Sequence, residues 1–488
     1  MIPIVTVIRP VVIVLLISIV LWLALGFGLK DFHRGAIFST VAVAMSFLFK
    51  EFQEIARFFF IPRQFEFFIW GSATVILACI FAWKFKWHRF ANVLSIALIV
   101  TSAVQVCFGY FQALSLRPEQ LHSLAASSKS DFHRPDIIYV ILDGYGRNDS
   151  LKRSLGFDNS TFINALEERG FYVAKDSRSN YCQTELSVGS SLNFDFIQAL
   201  LTKVSAKDTS RLPMGELINH SAAAQYLKAM GYTFSAITTG FPPLQFESAD
   251  VNLRTRSGMT LLESAILQKT PFASYENVRS SQFLRRREEI LAAFDSISSL
   301  RGTEIKPKFT VAHILAPHPP FVFGSNGQLL PHKGFYGFWD GSDFIEHVSS
   351  ANDYKLGYVG QAEYIGKLMI KAIDSVLSSS GEKPVILIQG DHGSKLRLDQ
   401  NSLSRTDLNE CFPNLSAFYV PDSVRKHLYP SITPVNSFRV LFNGLFNEDF
   451  ELKPDLSWYS TFQFPYDFTD VTNRIADHTA MRRVRLPN

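Results

Sequence analysis

Cysteine is scarce in this chain, with four among 488 residues. Cys79 and Cys107 fall inside apolar segments, where a small apolar side chain is the ordinary reading, so only Cys182 and Cys411 lie in the polar part of the sequence. Those two can form a disulfide only if they meet and if that part faces an oxidising compartment. Net charge is also small: 48 basic against 44 acidic residues give +4. No Lys/Arg block interleaved with aromatics occurs, so nucleic acid is not expected as a partner. Internal repeats and low-complexity tracts are missing. No small-residue cleavage site follows the first apolar run, which therefore reads as an anchor and not as a removed signal.

Apolar residues, by contrast, are plentiful at 47% and concentrated near the start. Residues 11–29 carry no charge and are as long as a bilayer core demands. The stretches 36–49, 67–83 and 91–114 are further candidates, the first of them short, so three or four membrane helices are expected, with four preferred. Lys30 and Arg34 in one loop, and Lys84, Lys86 and Arg89 in another, favour those loops inside. Four spans would then leave the large C-terminal part outside. Lys50, Arg57 and Arg63 in the intervening loop weaken this bias, and 58–62, rich in Phe, reads as an interfacial stretch.

The organisation that follows is an anchor over 1–115, a polar linker over 116–135 and a soluble domain over 136–488. In the domain, strand-like runs at 137–142, 171–174, 233–238, 309–315, 385–389 and 416–420 alternate with helix-like runs at 160–169, 221–230 and 358–379. Such alternation predicts an α/β domain with a central, mostly parallel sheet and helices on both faces. Past Pro421 no order of elements is expected.

Four residues carry the chemistry. Asp143 closes an apolar, β-branched run and is followed by Gly144, as a sharp turn requires; Asp391-His392-Gly393 follows another such run. Ligands collect at the carboxyl ends of strands in open α/β sheets, so these positions can meet there. Thr184 sits where a polar loop enters a helix-compatible segment, near unpaired N–H groups that favour an anion. Taken alone, a threonine there is more often an N-cap. With Asp143, Asp391 and His392 it can instead ligate one divalent metal and serve as an activated nucleophile. His318, between prolines after a strand, can protonate a leaving alkoxide or hold a phosphoryl oxygen. His313 reads as a packed core residue. Lys395 and Arg397 read as solvated charges that could also bind an anion, and Arg147, Asn148 and Asp149 have the same two readings.

Leu142-Asp143-Gly144, Cys182-Gln183-Thr184, Ala316-Pro317-His318-Pro319-Pro320-Phe321 and Asp391-His392-Gly393 occur in the order expected of the alkaline phosphatase superfamily. Within it, the chain resembles the sulfatase-like membrane transferases, such as lipid A phosphoethanolamine transferases and lipoteichoic acid synthases, over roughly 136–421 plus the anchor. The resemblance implies Asp143, Thr184, Asp391 and His392 as metal ligands, Thr184 as nucleophile and His318 as the histidine on the transferred group. Those transferases commonly have Glu where this chain has Asp143. True sulfatases need Cys-x-Pro/Ala-Ser-x-Arg, which this chain lacks at Cys182. Two-metal relatives add an Asp-x-x-x-His pair and a late histidine; Asp343, His347 and His478 are the candidates here for a second metal.

The expected protein is thus a multi-pass enzyme of the inner cell membrane with an extracytoplasmic catalytic domain. It would use one divalent ion, Zn or Mn, to move a headgroup of phosphoethanolamine or phosphoglycerol type from a lipid donor to a glycan or lipid hydroxyl through a phosphothreonine. A hydrolase of phosphate or sulfate esters using the same Thr184, and an inactive membrane scaffold or glycan-binding relative, are the alternatives. Oligomeric state is not legible.

Overall fold

A computed structural model of the chain describes residues 4–83, a few positions between 97 and 111, and residues 134–254, 261–300, 307–332, 336–379 and 381–475. The described residues fall into two compact units, one within Leu116–Ser257 and Phe283–Asn488, the other within Ile2–Ser115 and Gly258–Gln282.

The second unit holds four apolar or amphipathic helices, α1 (Ile4–Leu29), α2 (Phe32–Phe47), α3 (Phe49–Phe58) and α4 (Arg63–Trp83). Asp31 starts α2 by accepting from the backbone N–H groups of His33 and Arg34, which satisfies two of the donors a helix start leaves open. A Cβ on Gly35 would lie 2.7 Å from the backbone nitrogen of Gly26, so α1 and α2 meet backbone to backbone through small residues. By length and composition, α1 and α4 can each cross a membrane, and α2 with α3 can supply a third span broken by a 59° bend. The described residues therefore give two or three spans where the sequence suggested three or four; the candidate at 91–114 lies mostly outside them. Phe58, Phe59 and Phe60, at the end of α3, are 76%, 66% and 92% exposed, in keeping with an interfacial stretch.

The same unit contains a segment from far along the chain, a grouping the sequence did not suggest. Helix α7 (Leu261–Gln268) presents Glu263 to Arg9 in a bidentate pair of 2.5 and 2.6 Å. Just beyond it, Lys269 pairs with Glu51 of α3. Arg9 lies near the N-terminal end of α1 and Glu51 in the first turn of α3, so both ends stand beside this segment.

The first unit is built on a seven-stranded sheet of order β2-β7-β6-β1-β5-β3-β4. Its strands are β1 (Ile137–Leu142), β2 (Tyr172–Val173), β3 (Thr233–Thr238), β4 (Val251–Arg254), β5 (Lys308–Ile314), β6 (Val385–Gln389) and β7 (Ser416–Tyr419). Strand β1 pairs in parallel with β5 on one side and β6 on the other, β5 with β3 and β3 with β4. Strand β7 runs antiparallel to both β6 and β2.

Burial explains why β1 is apolar without alternation. Ile137, Tyr139 and Ile141 pack in one cluster with Val188 and Leu192 of α5 (Thr184–Asn193), Ala223 and Leu227 of α6 (Ala222–Ala229), and Phe438 and Phe442 of α9 (Pro434–Phe446). The intervening Ile138, Val140 and Leu142 are equally buried, so both faces of the strand are covered. Each such side chain contributes about 1.5–3 kcal/mol by leaving water. The parallel register then brings the carboxyl ends of β1, β3 and β5 level, with Ile141 opposite His313 and His313 opposite Thr238.

Candidate functional site

At that carboxyl edge the chain leaves β1 at Asp143 and turns on Gly144, whose φ of +73° suits a residue without Cβ. The Gly144 N–H donates to Asp391 Oδ1 at 2.8 Å, tying the first strand's exit to that of β6. Glycines are required around Asp391 by space. A Cβ on Gly390 would fall 2.2 Å from the Tyr145 carbonyl oxygen, and one on Gly393 would fall 2.1 Å from that of Glu410 and 2.8 Å from that of Pro413. Gly393→Ala is therefore expected to destabilise the protein by roughly 3 kcal/mol, since backbone on two sides must move; a thermal melt of the variant against the parent measures it.

Thr184 is the first residue of α5, and the N-cap is Gln183, so the threonine is not the cap. Ser187, one turn on, donates to the Asp391 carbonyl at 2.6 Å, and Ser191 shares a 3.0 Å bond with the Tyr139 hydroxyl on β1. These contacts fix the helix on the strand ends with Thr184 pointing inward. Its Oγ1 lies 3.2 Å from His392 Nε2 and 3.5 Å from Asp143 Oδ2.

The four candidates of the sequence thus come together. His392 Nε2 is 3.5 Å from Asp143 Oδ1 and 3.2 Å from Asp391 Oδ2, and ligand atoms of Asp143, Asp391 and His392 all lie within 4.8 Å of one another. His392 Nδ1 is 2.9 Å from the Gly393 carbonyl, which can only accept, so the proton sits on Nδ1 and the Nε2 lone pair faces the carboxylates. Asp143 Oδ1 and Asp391 Oδ2 are buried without a hydrogen-bond partner. Lone pairs from three buried side chains converging this way repel one another unless a cation lies among them. Ligands about 2.1 Å from a tetrahedral ion stand about 3.4 Å apart, which matches the spacings here. The donor set therefore fits a divalent metal. Oxygen with imidazole suits Zn and Mn alike.

The electrostatics agree. Burial, and then the charge of Asp391, push the Asp143 carboxyl up to about 7. Burial pushes His392 well below the usual imidazole range, with the Lys395 charge adding to it, so the ring is neutral and able to bind a metal.

His318 follows β5 and its N–H donates to the Asp143 carbonyl at 3.1 Å. Its Nδ1 lies 2.5 Å from the Pro319 carbonyl and its Nε2 3.4 Å from Asp340 Oδ2. Oxygen acceptors therefore face both ring nitrogens. His313 is in the core as expected, yet it also touches the site: its Nε2 is 3.3 Å from Asp143 Oδ2. Burial pushes its imidazole down to about 4, so it is neutral.

Two residues depart from the sequence reading. Lys395 is not solvated but 6% exposed, 3.9 Å from Asp340. Burial disfavours its charge, but Asp340, Asp143 and Asp391 together outweigh this and raise it. Asp340, unnoticed in the sequence, is 5% exposed and accepts from the Tyr354 hydroxyl at 2.7 Å and the Gly341 N–H at 2.9 Å. Burial would raise its carboxyl; His318, Lys395 and Tyr354 together hold it lower.

Arg397 is exposed and pairs with Asp407, and Arg147 is occupied by Asp149 at 2.6 and 2.9 Å and the Ser177 carbonyl. Among the described residues, Asp343 and His347 join no metal-capable cluster; the His347 ring lies tilted against Trp339, centroids 4.9 Å apart. His478 lies outside the described residues. Cys182 and Cys411 are free thiols in one buried cluster.

One helix face holds these loops in place. On α8 (Ala351–Ser379), Tyr354, Tyr358 and Gln361 recur at helical spacing. Tyr354 holds Asp340, Tyr358 donates to the Gly144 carbonyl at 2.7 Å, and the Gln361 amide donates to the His318 carbonyl at 3.1 Å. The sequence reading began this helix at Tyr358, seven residues late, and so missed Tyr354.

No protein-family model and no curated protein sequence matches the chain. Solved structures similar to it are phosphoethanolamine transferases and sulfatases. The integral membrane lipooligosaccharide phosphoethanolamine transferase A (EptA) of Neisseria meningitidis is 11% identical, with a TM-score of 0.43 over 79% of this chain and 70% of its own. The periplasmic domain of EptC from Escherichia coli, in complex with Zn, is 10% identical, with a TM-score of 0.43 over 71% of this chain and 95% of its own. A putative sulfatase of Bacteroides thetaiotaomicron is 11% identical, with a TM-score of 0.40 over 67% and 78%. At these values the functional reading rests on the site's own geometry.

Proposed function

We propose that the protein is a membrane-anchored, metal-dependent phosphotransferase that moves a lipid headgroup to a glycan or lipid hydroxyl through a covalent phosphothreonine at Thr184. The observation that carries this reading is a hydroxyl 3.2 Å from a neutral histidine nitrogen and 3.5 Å from Asp143 Oδ2, in a site where two further buried carboxylate oxygens have no partner. Asp143, Asp391, His392 and Thr184 would hold the ion. When bound, a divalent cation offsets the carboxylate charge and lowers the pKa of a hydroxyl it touches, from the range of water toward neutrality.

The remaining steps belong to the chain. Thr184 Oγ1, its proton released to solvent, attacks the phosphorus at the N-terminus of α5, whose free N–H groups favour the incoming anion. The bond from phosphorus to the donor's glycerol oxygen breaks, and His318, with acceptors at both ring nitrogens to orient it, gives that oxygen a proton. The acceptor hydroxyl then loses its proton to His318 and attacks the phosphothreonine, which frees Thr184. Asp143 and Asp391 are nearly fully buried, so the attack takes place where charge interactions are strong.

A lipid donor requires the site to face the membrane surface on one side. The positive charge of Lys30 and Arg34 favours the turn between α1 and α2 in the cytoplasm, and this reading has the catalytic unit outside. In spheroplasts of a variant without native cysteines, a membrane-impermeant maleimide is expected to label Leu452→Cys directly and Lys30→Cys only after permeabilisation. The opposite pattern would refute this orientation.

The reading itself is tested with a phospholipid labelled in its headgroup, mixed with purified protein, metal and a membrane glycan extract. Transfer of label to glycan or lipid, with a transient label on Thr184, is the expected result. Release of the headgroup only into water would favour the hydrolase instead. Neither transfer nor release would leave the inactive relative.

A further inference from the structure

The site contains a buried cation that the steps above do not use. Lys395 lies three residues past His392, and its ammonium pairs with Asp340 at long range. Its nearest carboxylate oxygen, on Asp340, is 3.9 Å away, well beyond the 2.7–2.9 Å of a charge-assisted bond. Lysine is almost never this buried unless paired. The same oxygen of Asp340 faces His318 Nε2 at 3.4 Å. One carboxylate thus stands behind two donors that come from different loops, His318 after β5 and Lys395 after β6. Asp340 is in turn held by Tyr354 and the Gly341 N–H.

Charge narrows the ligand. The three carboxylates Asp143, Asp391 and Asp340 face one buried ammonium, that of Lys395, and a divalent ion would offset the remainder, so the site suits an anion of low charge. A phosphodiester carries one, and a phosphate monoester two.

On the basis of the phosphotransferase reading, we propose that the Lys395 ammonium binds a non-bridging oxygen of a phosphodiester monoanion. Asp340 is the positioning residue that keeps Lys395 and His318 on that side of the phosphorus. The ammonium faces the charge that grows on this oxygen during attack and selects diesters over monoesters.

The test uses the full chain in detergent, loaded with Zn or Mn, and the variants Lys395→Gln, Lys395→Arg, Asp340→Asn and the double Lys395→Gln/Asp340→Asn. Metal content, calorimetric binding of inorganic phosphate, and initial rates on bis(p-nitrophenyl) phosphate and p-nitrophenyl phosphate are measured. Lys395→Gln is expected to weaken phosphate binding and raise KM for the diester at least about tenfold, with metal content unchanged. Lys395→Arg should recover most of the loss. The double variant should be no worse than Lys395→Gln beyond about threefold, because Asp340 acts through the lysine and the histidine that remains.

The proposal is overturned if Lys395→Gln stays within about threefold of the parent, if it loses metal in step with activity, or if the parent prefers the monoester. Should Asp340→Asn fail to fold, the two Lys395 variants decide. A parent that neither binds phosphate nor cleaves the diester overturns the phosphotransferase reading and this inference with it. An active parent with an unaffected Lys395→Gln overturns this inference alone.

Discussion

Thr184→Ala is expected to lower turnover by about 10⁴-fold or more, the scale on which removal of an attacking hydroxyl acts in hydrolases with a covalent intermediate. The fold should survive, because Gln183 and not Thr184 occupies the N-cap and the helix is fixed by Ser187 and Ser191 further along. Loss of the γ-methyl and hydroxyl at a buried position costs about 1 kcal/mol, a small part of a domain's stability. Metal content should also persist, since Asp143, Asp391 and His392 remain. Thr184→Ser keeps the oxygen and should retain measurable activity. Rates, melting temperature and bound metal on the three proteins decide the matter; an alanine variant with a tenth of parental turnover would remove Thr184 from the reaction.

The second large effect is a pH dependence of metal binding. With the Asp143 carboxyl raised to about 7 by burial and by Asp391, the metal-free fold carries a proton there that an entering ion must displace. His392, held neutral by burial, releases none above its depressed value. Affinity should therefore climb about tenfold per pH unit below 7, with one proton released, and level off above it. Thermal stability of the metal-free protein is a poorer readout because its contributions oppose. The Asp143 group, raised in the fold, supplies stability that is lost as pH rises from 3.8 through about 7, whereas neutral His313 and His392 supply stability lost as pH falls below 6.5. Titration with a competing chelator between pH 5.5 and 8.5 gives the slope directly. Asp143→Asn should flatten it and weaken binding by at least about 10²-fold, whereas a parental slope of zero would show that no proton is displaced at Asp143.

The parts of the molecule that were legible in the sequence are those fixed by local rules. Strands β1 and β6 carry nearly unbroken apolar runs because both faces are covered, and the turn at Asp143 shows as a glycine that must adopt positive φ. Asp391-His392-Gly393 was readable for the same reason, as its glycine fills a space bounded by backbone. What stayed hidden depends on distant packing. Asp340 comes from an irregular loop and becomes part of the site only through Tyr354 and His318. Lys395 has the sequence surroundings of a surface residue, and only the folded chain puts it inside. The pairing of β2 with β7 joins residues such as Val173 and Ala417, whose direction no local pattern encodes. Helix α9 was missed past Pro421 because Asn436, Ser437 and Arg439 are buried along with Phe438 and Phe442, leaving no polar stripe to mark a period.

The most direct measurement is a crystal structure of the metal-loaded protein with anomalous scattering collected at the Zn and Mn edges. The account predicts a single strong peak bounded by Asp143, Asp391 and His392, with Thr184 Oγ1 about 2.0–2.2 Å from it. A peak elsewhere, or one at which the Thr184 oxygen stands more than about 3 Å away, beyond any coordinating distance, would contradict it.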